Sequence, residues 1–442
     1  MRIQVRLIVA GASFFAWSAT LAWTTNTFAQ SNSTERLLPT QQQLSRFGLE
    51  RAWWGQATLN PSRDKVRHVS IDEEMVYVIS NSGIVTAFDS ETGQKRWAVL
   101  LGRFDQPSYP VVSNETLALV VVGSTLYAVD KNTGSTTWTL GLSGQPSASP
   151  GVDDQQVYVG TLDGSVYAYS LRKVRQLYQE QRLPEWTAEA MVWRATADAE
   201  ITSSPIPRGR TVTFCSRDGS LYCVVAADKQ LVYQLETDGA IVTPLATSGK
   251  MQYLASEDNT FFALDAQSGN IVWDFTSGLP IRRAPFVIAN DLYLTPERGG
   301  MYCLNAVEGT HRWWNASLHT FVAVVGDAVF ASDVDGNLIR ATREEGGVSA
   351  ALSMRSFSVR VPNDRTDRIY MSTASGLVIA LRQRGETIPV YHKFPDRLPI
   401  MPEVTPEIAE PPAAEAAPAA DDAAPATESA APATEATAPE SN

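Results

Sequence analysis

From about residue 49 to residue 392 the chain is built of short strand-like runs, such as MVYVIS and IVTAFD, in which apolar and polar positions alternate. Gly, Asn or Asp separates one run from the next. A period of two predicts β-strands, whereas helices would place apolar residues at i, i+3 and i+4. The expectation is a run of short antiparallel strands joined by tight turns.

The runs recur at a fixed period. AFDSETGQKRW (Ala87, Asp89, Gly93, Trp97) returns as AVDKNTGSTTW (Ala128, Asp130, Gly134, Trp138), ALDAQSGNIVW (Ala263, Asp265, Gly269, Trp273) and CLNAVEGTHRW (Cys303, Asn305, Gly309, Trp313). Fourteen residues before each tryptophan stands a turn residue, Gly83, Ser124, Asn259 or Gly299. Looser copies surround Gly164, Gly219, Gly336 and Gly376, giving eight units about 40 residues apart. Each unit has room for four strands, the layout of a propeller blade. The segment LERAWWGQ (Leu49–Gln56) precedes the first complete unit and reads as the missing outer strand of the last blade, whose other strands come from residues 354–382. Joining the chain ends in this way removes a free sheet edge.

The physical role of the motif follows from its residue types. An outer-strand tryptophan laid against the next blade buries about 150–250 Å² and its indole N–H needs an acceptor. The small residue leaves room for the ring, Asp or Asn bonds the turn backbone, and Gly supplies a positive φ. Trp193 fills the tryptophan position of the third unit and Tyr233 that of the fourth, while Ala350 and Val390 align there in the seventh and eighth. The last two blades are therefore expected to be the least tightly held.

The pattern around Trp97, Trp138, Trp273 and Trp313 resembles the tryptophan-docking motif of the quinoprotein-type, or PQQ-like, eight-bladed propellers. The resemblance covers about residues 49–392, and in size and architecture the chain is most similar to the BamB-type periplasmic scaffolds. It implies an all-β fold, no catalytic residue, and protein partners in the cell envelope, among them the outer-membrane assembly machinery. A second branch of the same superfamily, the quinone-dependent dehydrogenases, implies a Ca²⁺ site and, in the alcohol dehydrogenases, two adjacent cysteines; no such pair occurs here. An extracytoplasmic ligand-sensing adaptor is the third alternative. No cofactor-binding or metal-ligating residue is assigned: His68, His311, His319 and His392 lack ligand spacing, and no phosphate-binding loop or nucleophile elbow occurs.

Composition shifts set the domain limits. Arg2 and Arg6 precede an uncharged apolar run ending in small residues, which reads as a signal peptide over 1–29 and places the protein outside the cytoplasm, in the periplasm or envelope. No cysteine follows that run, so no lipid anchor is expected, nor a membrane span once the signal is cleaved. A lead segment (30–48) and the propeller (49–400) follow. Residues 401–442 are rich in Ala, Pro, Glu and Thr and predict a disordered acidic tail. Nine acidic residues there account for most of the net charge of −12, leaving −3 elsewhere. That near-neutral body has no basic stripe, which argues against nucleic acid. A monomer is expected.

Cys215, Cys223 and Cys303 are too few for a disulfide framework; the first two flank a turn and leave one disulfide open, although small buried residues are the simpler reading. One unit departs from the period: Trp138 and Trp193 lie 55 residues apart. The insert, about residues 171–192, begins with helix formers and carries Arg172, Lys173, Arg175 and Arg182 as candidate partner contacts, or as a solvated surface elaboration.

Overall fold

Alternation becomes sheet throughout. The computed structural model describes residues 37–104, 106–183 and 186–394, and within them the strands form eight four-stranded antiparallel sheets. Seven sheets are sequential meanders, at residues 66–100, 112–141, 151–196, 206–236, 246–276, 286–315 and 320–353; they are numbered here as blades 1 to 7. The signal peptide and acidic tail read from the sequence lie outside the described residues.

Blade 8 draws on both ends of the chain. Leu49–Gln56 pairs antiparallel with Leu377–Gln383, Leu49 opposite Gln383 and Gln56 opposite Leu377, and Arg382 donates to Glu50 Oε1 at 2.7 Å. The propeller is thereby an eight-bladed ring closed by its first strand.

Burial follows position in the blade. The second strands of blades 1 and 2, Met75–Ser80 and Leu117–Val122, are buried at every residue because neighbouring blades cover both faces. Outer strands such as Lys95–Leu100 leave most positions open and bury the tryptophan. Every outer strand also carries a bulge: Ala87 faces Trp97 but Phe88 faces Lys95, which leaves Arg96 as the extra residue. The same one-residue slip precedes the aligned position in the other seven blades, at Ala52, Thr137, Val192, Val232, Val272, Arg312 and Ser349. A bulge bends the strand and re-aims the next side chain, here toward the adjoining blade.

Among the described residues, short helix α1 (Gln41–Ser45) precedes the first strand, and α2 (Leu171–Gln179) and α3 (Thr187–Ala190) interrupt blade 3. Helix α1 is closed by a capping box between Thr40 and Gln43, and α2 by the Ser170 side chain accepting from Lys173 N–H. None of the described helices is long and apolar enough to cross a membrane.

Candidate functional site: blade seams and the third-blade insert

The predicted motif residues converge on the seams between blades. Asp89, Asp130 and Asp265 each accept two backbone N–H bonds and one hydroxyl within their own turns, for example Thr92 N at 2.9 Å and Thr92 Oγ1 at 2.8 Å onto Asp89. Asn305 accepts from Val307 N and Glu308 N in the same manner. Gly93, Gly134, Gly269 and Gly309 all take a positive φ of 70–75°. At each, a Cβ would stand 2.4–2.6 Å from the aromatic ring of the preceding blade, Trp53, Trp97, Tyr233 and Trp273 respectively. The glycine is therefore needed both for backbone conformation and for the ring's approach.

The indoles find their acceptors in the turns they cover. Trp53 donates to Ser90 O at 2.7 Å, Trp97 to Lys131 O at 2.8 Å, Trp193 to Ala226 O at 2.7 Å, Trp273 to Ala306 O at 3.2 Å and Trp313 to Arg343 O at 2.9 Å. Tyr233 reaches Ala266 O with its hydroxyl at 3.3 Å. The small residues Ala87, Ala128, Ala263 and Cys303 sit opposite the rings and are fully buried.

Two seams depart from this scheme, each with a helix. In blade 3, α2 begins where the neighbouring blades make a tight turn at a residue of positive φ, Gly134 in blade 2 and Lys229 in blade 4, so Trp138 packs on Leu171, Val174 and Leu177 of α2 and on Ala190 of α3. The ring is completely buried and its Nε1 has no acceptor among the described residues. At blade 7 Ala350 occupies the aligned position, opposite Arg340 where other blades carry a small residue. There Leu38, Leu44 and Phe47 of the lead segment pack into the cluster that Ala350 adjoins. The alignment of Val390 with the ring position of the eighth unit is thus corrected, since blade 8 takes Trp53 from the first strand; the seam at Ala350 lacks an aromatic ring, and the lead segment packs there.

The insert's four cations divide into two kinds. Arg182 pairs with Glu180 at 3.1 Å and Glu189 at 3.0 Å and lies over the Trp186 ring; Lys173 reaches Glu189 at 3.5 Å. Arg172 and Arg175 face solvent with no ion pair among the described residues. The two face away from Leu171, Val174 and Leu177, as an amphipathic helix requires.

Charge staples reinforce three seams beside the ring seats. Lys131 meets Asp72 at 3.0 Å, Arg343 meets Asp291 at 2.6 Å, and Arg368 meets Glu91 at 3.1 Å. Burial would raise the Asp72 carboxyl, but the Lys131 charge and bonds from Ser113 and the Glu74 N–H outweigh it and hold the group below its ordinary value. Burial alone would lower Lys131; its two carboxylates, Asp72 and Glu74, raise it instead. Neither Trp53 nor the staples were singled out from sequence. The double Trp53–Trp54 hid which ring docks, and charges paired across 52 residues (Arg343 and Asp291) or 277 (Arg368 and Glu91) carry no local signature.

All three cysteines are free and buried. Cys215 faces Leu221 and Cys223 faces Thr213, so the turn sets the pair out of register for a bridge. Burial pushes the Cys303 thiol up to about 12 and Cys215 higher still, which makes both inert. Among the described residues, no cluster of His, Cys, Asp or Glu is arranged to hold a metal ion.

Comparison with known proteins places this architecture. The family described as outer membrane protein assembly factor BamB matches residues 81–191 and 185–288. The chain is 23% identical over 341 residues to the outer membrane protein assembly factor BamB of Moranella endobia, covering 71% of this chain and 84% of that protein. It is 25% identical to the Yersinia pestis protein of the same name, over 56% of this chain and 60% of the relative. The crystal structure of BamB from Moraxella catarrhalis superposes with a TM-score of 0.60 at 16% identity, over 76% of this chain and 98% of that one. A computationally designed protein, Ika8, reaches 0.59 at 14% identity over 74% and 99%. Since a designed chain fits nearly as well, the structural likeness speaks for the fold alone.

Proposed function

Because the chain is a BamB-like propeller of PQQ-type repeats, we propose that it acts without catalysis, as a protein-binding scaffold of the cell envelope that assists outer-membrane protein assembly. The observation that carries this is the alignment to the Moranella endobia assembly factor, which runs through 84% of that relative and so takes in the ring rather than one or two repeats. The docking residues have a structural part in this proposal: they lock the blades so that turns on both faces are held in fixed positions for a partner. In-cell photocrosslinking with partner identification tests it. Recovery of a barrel-assembly protein is the expected result; recovery of a redox partner, or a Ca²⁺-dependent quinone absorbance, would overturn it in favour of a dehydrogenase.

Within this function we assign the solvent-facing side of α2 to partner contact, through Arg172 and Arg175. Lys173 and Arg182 hold the insert together instead.

A further inference from the structure

The turns joining the first two strands of each blade share one face of the ring with the turns that seat the tryptophans. At the seams of blades 1–2, 6–7 and 8–1 this face joins opposite charges. The seam between blades 4 and 5 does the reverse. Arg208 and Arg210 from blade 4 and Lys250 from blade 5 line a cleft of about 420 Å³ with Gly209, Ala266 and Gln267, and no carboxylate lines it.

These cations are not neutralised locally. The Arg208 guanidinium reaches only the Met251 carbonyl, at 3.5 Å, and Arg210 and Lys250 are exposed with no side-chain partner among the described residues. Lys250 acts electrostatically on Asp265, whose carboxyl is lowered by its turn bonds to Ser268 and Gln267 and, more weakly, by Lys250. That carboxyl is already committed to its turn. Across the adjoining cleft, of about 660 Å³, Asp153 is likewise occupied by Gln155 N, Gln156 N and Tyr158 OH. Asp154 lines that adjoining cleft as well, and Glu344 and Glu345 stand in the corresponding turns of blade 7.

We propose that this cleft binds an acidic, extended peptide segment of a partner protein, which deepens the scaffold reading above and rests on it. Two guanidinium forks and one ammonium match carboxylates, the forks in bidentate fashion. The charges arise from two blades; Arg210 also walls the neighbouring cleft, where Asp153 and Asp154 stand on the far side, so the positive surface is confined to the seam of blades 4 and 5. Three cations spread over two blades suit a chain carrying several carboxylates better than a single small anion. Asp153 and Asp154 on the blade 3 side repel a misplaced acidic segment and so help to fix its position.

The test is fluorescence anisotropy of the full chain with a short, capped, dye-labelled peptide alternating Glu with Gly. Binding that weakens from about 0.05 to 0.3 M salt is expected. The combined variant Arg208→Gln, Arg210→Gln, Lys250→Gln is expected to bind about tenfold more weakly, at an unchanged urea midpoint, as three rim charge pairs would give. Arg63→Gln with Arg103→Gln, at exposed arginines outside the cleft, is expected to bind as the parent does. Equal binding by the triple variant, equal loss in this control variant, equal binding of a Gln/Gly peptide, or binding to phosphatidylglycerol vesicles in place of the peptide would overturn the proposal. The peptide is supplied in vitro, so a failure here leaves the crosslinking outcome standing, and a redox partner found there leaves this measurement standing.

Discussion

The indole N–H of Trp138 meets no acceptor among the described residues, while that of Trp97 donates to Lys131 O. Trp97→Phe removes a buried bond and strands a carbonyl, whereas Trp138→Phe removes an unsatisfied donor. The first substitution is therefore expected to cost about 1 kcal/mol more than the second, measured as the difference in urea unfolding free energies. A harsher change is Gly134→Ala, because φ is +71° and a Cβ would lie 2.6 Å from the Trp97 ring. A loss of about 2 kcal/mol or more is expected from strain and overpacking together. The Asp72–Lys131 staple gives a pH signature. Asp72 has a folded pKa below 3.8, so its contribution is full above that value and is lost as pH falls through the depressed one. Lys131 has a folded pKa above 10.5, so its contribution is present below that value and disappears as pH rises through the raised one. The stability gap between the parent and Asp72→Asn should then be flat between the two limits and narrow toward acid and toward alkali; a gap that widened in acid would refute the staple.

At the scale of elements, helices stand in for what the motif lacks. Helix α2 replaces the turn under Trp138, and the lead segment with α1 covers the seam at Ala350. Leu44→Ala, at a fully buried position of α1, is expected to cost about 2–4 kcal/mol and to expose blades 7 and 8 to hydrogen exchange before the rest of the ring. Removing the whole insert would uncover Trp138, so loss of partner recovery in that deletion would be uninformative. Reversing Arg172 and Arg175 to Glu leaves Leu171, Val174 and Leu177 in place; partner capture should fall with an unchanged melting temperature. Much of this architecture was legible in the sequence, because the Ala–Asp–Gly–Trp spacing is local and its chemistry is that of a turn. The bulge before each ring was legible only as a constant interval, which does not say which residue is skipped. What α1 and α2 cover was not legible at all: nothing in QQQLS or LRKVRQLYQ names a ring or a gap on another blade. The unpaired cations at Arg208, Arg210 and Lys250 were hidden for the same reason, since their significance lies in the acids missing around them.

The molecule as a whole depends on a contact between residues far apart in the chain. Leu49–Gln56 finds its strand partner in Leu377–Gln383. Its tryptophan, however, seats on Ser90 O and Gly93 in blade 1, which follows at once. Glu50 and its partner Arg382 are 332 residues apart, so as the chain is delivered N-terminus first, blade 1 is within reach of the first strand long before Leu377–Gln383 is. Trp53 gives that strand a mooring during the interval: held on blade 1, its hydrogen-bonding edge is kept in position instead of being free to pair with another chain. Trp53→Ala should accordingly cost the fully grown ring about 3–5 kcal/mol and raise the aggregated fraction in refolding beyond that of Trp97→Ala, and more so at high protein concentration. The first strand to be made is the last to be paired, and one side chain keeps its place.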